Sequence, residues 1–89
     1  MTVSAEQIDT ALRAAFGPDA LIEVINESHL HAGHAGAAEG SHWRLRLEAP
    51  AFAGRPRVAQ HRLVYDALAQ LIPQGIHALA IEARATAAP

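Results

Sequence analysis

The chain reads as an α+β domain of two layers, with elements in the order α-β-β-α-β and both helices on one face of a three-stranded mixed sheet. Three observations predict this. Two stretches carry apolar residues at helical spacing between start and stop signals, three shorter ones are β-rich, and a helix separates the second strand from the third. Strands joined by a loop pair antiparallel, whereas strands joined through a helix in one sheet pair parallel with a right-handed crossover. Eighty-nine residues make one such domain, expected to occupy residues 1–89.

The first helix is announced by Ser4 and Gln7, which have the spacing of a capping box, and Val3 can staple onto Ile8. Ile8, Ala11, Leu12, Ala15 and Phe16 follow at helical spacing, and Gly17-Pro18 stops the run. Leu21 to Ile25 is β-rich and breaks at Asn26, giving strand one. In strand two, His42 to Glu48, Trp43, Leu45 and Leu47 face one way while His42, Arg44, Arg46 and Glu48 face the other. One face is therefore covered and one is wet. Ala49-Pro50 ends that strand, and residues 52–56 form a turn anchored by Phe52. A longer helix starts near Pro56, with Val58, His61, Val64, Tyr65, Leu68, Leu71 and Ile72 as its apolar stripe and Pro73 and Gly75 as its end. Strand three runs from His77 to Arg84 with Leu79 and Ile81 on the parity of His77, and residues 85–89 are expected to fray.

Between strands one and two, residues 26–42 form a loop rich in histidine and glycine. Together with His42 it holds His29, His31 and His34, four of the six histidines, among small residues that shield an imidazole poorly. Loops this long tend to be functional, and histidine near neutral pH serves as proton switch or metal ligand. The topology places the end of strand one and the starts of strands two and three at one edge of the sheet. His77 is thus expected beside the loop despite its distance in sequence.

Composition narrows the chemistry. With no cysteine, disulfides, thiol catalysis, zinc fingers and a self-contained cysteine-ligated cluster are excluded. The opening residues show neither a basic nor an apolar targeting region, and no apolar run reaches membrane-spanning length, so a cytoplasmic location with no membrane partner is expected. A net charge of −2 argues against tight, non-specific nucleic-acid binding. No Ser-His-Asp order, phosphate-binding loop, HExxH or paired carboxylates can be defended, so neither catalysis nor a small-molecule substrate is expected.

Asn26-Glu27-Ser28, His31, Ser41-His42-Trp43, Phe52-Ala53-Gly54, His61-Arg62-Leu63-Val64-Tyr65 and Gly75-Ile76-His77-Ala78-Leu79, in that order and spacing, resemble the BolA family over nearly the whole chain. The resemblance implies a class II KH-like fold. It also implies an iron–sulfur role through a monothiol glutaredoxin, with a [2Fe–2S] cluster shared between the two proteins. In that family the histidine opening the last strand is a cluster ligand, which carries over to His77. The second ligand, from the loop, maps to His31 or His34. Where the family usually has Arg-His-Arg, this chain reads Gln60-His61-Arg62, which puts any function of the first arginine in doubt. The chemistry agrees on its own terms, because histidine can replace cysteine on one iron while the thiolates come from a glutaredoxin cysteine and glutathione.

Other readings stand beside these. His29 and His42 are expected to be bystanders or neighbours of the ligands, and His61 a hydrogen-bonded core histidine. Gly33-His34-Ala35-Gly36 matches the Gly-x-x-Gly of KH domains but lies between strands, and before the second helix the chain reads Gly54-Arg55-Pro56-Arg57, so nucleic-acid clamping by that motif is unsupported. Arg44 and Arg46 on the sheet, and Arg55, Arg57 and Arg62 around the second helix, form either a solvated surface or basic patches. On the latter reading Arg55, Arg57 and Arg62 would contact DNA in a transcriptional regulator, a role also known for BolA-like proteins. A third possibility is capture of Zn²⁺ or Cu²⁺ by the histidines without any partner.

Overall fold

Ser4 begins the first helix as its spacing predicts. In a computed structural model of the chain, which describes residues 3–27 and 42–86, the Ser4 hydroxyl accepts from the Gln7 N–H (3.1 Å) and the Gln7 side chain accepts from the Ser4 N–H (2.8 Å). Two of the helix's orphan donors are thereby satisfied. Helix α1 spans Ala5–Phe16, and Gly17, at φ +98, takes the backbone out of the helix. Val3, Ile8 and Leu12 are buried in the core, as the staple requires.

The sheet has the order β1-β2-β3, from β1 (Leu21–Asn26), β2 (His42–Glu48) and β3 (Ala78–Arg84). β1 and β2 are antiparallel, with Val24 opposite Leu45, and β2 and β3 are parallel, with Leu45 opposite Ile81. The α-β-β-α-β order and the mixed sheet are as expected. Trp43, Leu45 and Leu47 of the central strand are 3%, 0% and 2% exposed and join Ile8, Leu12, Phe52, Val64 and Leu68 in one core. Phe52 ends a 3-10 turn, Pro50–Phe52, and packs on Phe16 with ring centroids 4.9 Å apart. Gly54 continues this connection at φ +71, a conformation side chains resist.

Three expectations are corrected. β1 does not break before Asn26, which pairs with Trp43 as the strand's last residue. The second helix is also shorter than its apolar spacing suggests: α2 spans Arg57–Ala67, and a turn leads to a one-turn helix, α3, Ile72–Gly75. Pro73 lacks an N–H, and its ring would strike the carbonyl four residues back, so it fits only in the first turn of a helix. The helix must therefore stop and restart. Leu68 closes α2 by donating to the carbonyls of Val64 and Tyr65 (3.1 and 3.2 Å). Val58 and Tyr65 are 71% and 44% exposed rather than core residues. At about 100° per residue they lie nearly opposite Ala67, which with Leu63, Val64 and Leu68 forms the inward face.

Candidate metal centre

The register gathers three chain segments at one end of the sheet. Asn26 stands opposite Trp43, and His42 opposite Ala78, so the end of β1 and the starts of β2 and β3 are neighbours there. The Glu27 N–H donates to the His42 carbonyl (2.9 Å), closing the stem from which residues 28–41 depart and to which they return. His77 immediately precedes β3 at that end and is exposed to solvent. Buried Ile76 fixes the backbone just before it, and its N–H donates to the Ile72 carbonyl (3.2 Å).

His31 and His34, the two loop ligands expected from the sequence, lie outside the described residues, as do His29 and the Gly33-x-x-Gly36 motif. His42, expected to be a bystander, stands close to His77, with ring centroids 5.4 Å apart. His61 is half-buried on α2, and together with Arg57 it lines a hollow against Ile81, Glu82, Ala83 and Arg84 of β3.

The uncovered sheet face is charged but largely neutralised. Arg44 bridges Glu27 and Glu82 at 2.8 Å each, while Arg46 lies 3.3 Å from Glu23 and 3.5 Å from Glu82. One guanidinium thus ties the residue at the foot of the loop to β3, the strand that His77 introduces. Donating hydrogen bonds to Glu27 and Glu82 raises the pKa of Arg44, and the Arg44 hydrogen bond, with Arg46 nearby, holds Glu82 below the usual carboxylate range. No basic patch survives at Arg44 and Arg46. Sequence reasoning missed this brace, although Glu23 and Glu82 lie on the same open side as the arginines and give the signal.

Arg55, Arg57 and Arg62 are exposed, and among the described residues they form no ion pair. Arg55 donates to the Ala51 carbonyl (2.9 Å). Arg57 and Arg62 are about 140° apart around α2, so the helix does not bring them onto one face. A groove of about 760 Å³ between α1 and the end of α2, lined by Gln7, Ala11, Ala14, Ala67 and Leu71 among others, contains no histidine.

The family model described as BolA-like protein matches residues 12–88. The chain belongs to the BolA-like family. This BolA-like protein is 47% identical over 87 residues to an uncharacterised protein in the cobS 5′ region of Sinorhizobium sp., covering 94% of this chain and 92% of that protein. It is 38% identical over 76 residues to the DNA-binding transcriptional regulator BolA of Escherichia coli, covering 85% and 70%. Among solved structures it is similar to the BolA domain of SufE1 from Arabidopsis thaliana, with a TM-score of 0.81, 34% identity and coverage of 94% and 95%. Among its described residues, no helix is long and apolar enough to cross a membrane.

Proposed function

We propose that this BolA-like protein is a non-enzymatic, cytoplasmic adaptor that binds a monothiol glutaredoxin and shares, or regulates transfer of, a [2Fe–2S] cluster in iron–sulfur metabolism. The observation that carries the proposal is the position of His77, exposed beside the stem of the histidine-rich loop. The donor set fits such a cargo. The chain offers imidazoles and no thiolate, so it can hold one side of a cluster only when another molecule supplies the sulfur ligands. His77 would be one ligand and His31 or His34 the other, with a glutaredoxin cysteine and glutathione completing the set. The Arg44 bridge between Glu27 and Glu82 then acts in support by keeping the loop stem and the His77 strand together. A SufE1 protein that carries a BolA domain is consistent with this setting.

The test is anaerobic reconstitution of the complex with a monothiol glutaredoxin and glutathione, followed by visible absorption and circular dichroism. His77→Ala, and separately the pair His31→Ala and His34→Ala, should alter the spectrum of the complex. An unchanged spectrum in both would refute the ligand assignment.

A second reading rests on Arg55, Arg57 and Arg62, which no carboxylate neutralises among the described residues, and on the E. coli relative named as a DNA-binding regulator. It predicts salt-dependent binding to a defined promoter that weakens when Arg55 and Arg57 are replaced by Gln. Absence of specific binding at moderate salt would remove it.

A further inference from the structure

We infer that His42 and His77 together form a two-histidine site for a divalent cation of tetrahedral preference, with Zn²⁺ the best match. Their ring centroids are 5.4 Å apart. Two imidazoles on one tetrahedral cation, at metal–nitrogen distances of about 2.0–2.1 Å, hold their centroids about 5 Å apart, whereas neighbouring corners of a square-planar ion require about 4.5 Å. The observed separation lies with the tetrahedral arrangement. The rings are tilted by 58° rather than stacked face to face, so their nitrogen-bearing edges can turn toward one point.

The backbone under both rings is well held. His42 is the first residue of β2, and its carbonyl accepts from Glu27. Its partner across the parallel ladder is Ala78, which adjoins His77, and Ile76 is buried just before it. Ligands carried on a backbone that is already held lose little freedom when they bind. Imidazole is a natural ligand for zinc, and water can fill the remaining positions. Among the described residues no group of three or more histidine, cysteine or acidic side chains could hold a metal, so within them the site has these two ligands. A cation held there occupies His77, and would exclude that ring from any cluster shared with a partner.

The test uses the full chain with the loop histidines removed, His29→Ala, His31→Ala and His34→Ala, and no glutaredoxin or iron. Its outcome therefore does not depend on the cluster reading. Titration with Zn²⁺, and with Co²⁺ as a visible probe of tetrahedral geometry, should show one equivalent bound. Adding His42→Ala or His77→Ala should weaken Zn²⁺ binding at least tenfold, and His61→Ala should leave it unchanged. Ring-nitrogen NMR on the triple variant gives an independent readout that needs no further substitution, with Zn²⁺ shifting His42 and His77 and sparing His61. The site is refuted if the loop-stripped protein binds Zn²⁺ no more tightly than its His42→Ala/His77→Ala derivative, or if Zn²⁺ leaves both rings unshifted.

Discussion

The two faces of β2 come from one run of seven residues and hold the sheet together by different means. On the covered face, Trp43, Leu45 and Leu47 are sealed beneath the helices and contribute through removal of apolar area from water. On the open face, Arg44 and Arg46 reach across to Glu23 and Glu27 on one side and Glu82 on the other. Those pairs remain in contact with water, where each is worth little alone. The contrast separates two tasks. The apolar side supplies stability, and the charged side keeps three strands aligned at the end where the histidines meet.

The comparison breaks most visibly at Leu45. Leu45→Ala should cost about 2–5 kcal/mol in urea denaturation, since a fully buried leucine leaves a cavity as well as lost transfer energy. Arg44→Met should lower the urea midpoint less than that. Its difference from the parent should shrink toward zero in about 1 M salt, where screening acts over about 3 Å, and a deficit that persists there would mean Arg44 works by packing.

Acid should sharpen the same contrast. Glu82 has a lowered folded pKa, so its contribution is complete above the ordinary carboxylate range and is lost as pH falls through its depressed folded value. The raised value of Arg44 matters only in strong alkali, where the contribution disappears as pH rises through it. Urea midpoints followed from about pH 7 down to about pH 3 should therefore fall less steeply in Glu82→Gln than in the parent. The smallest effect is expected away from both faces. Val58→Ser and Tyr65→Ser should each change stability by no more than about 0.5 kcal/mol, because both side chains project into water.

Much of the fold was legible because local and long-range signals agreed. Ser4 and Gln7 set the start of α1, the strict alternation from Trp43 to Leu47 set the covered face, and the helix between β2 and β3 required their parallel pairing. The phase of α2 was less legible, since bulky residues occur on both its sides. Val58 and Tyr65 match the apolar spacing as well as Leu63 and Ala67 do, and only packing against α1 and β3 decides between them. The meeting of His77 with the loop stem followed from topology. The closeness of His42 to His77 did not, because alternation assigns His42 to the open face while His77 lies outside the strand, where parity no longer governs its ring. The Arg44 bridges were hidden for a related reason: register, which pairs Arg44 with Ile25 rather than an acid, leaves the long side chain to reach diagonally.

The parallel pairing of His42 with Ala78 also bears on how the molecule is made. A ribosome delivers α1, β1 and β2 well before β3, so the flank of β2 awaiting its third strand stays bare until synthesis has passed residue 84. His77 emerges with that late segment. A nascent chain can close its first hairpin early, yet it cannot bring His42 and His77 together until β3 has docked beside β2.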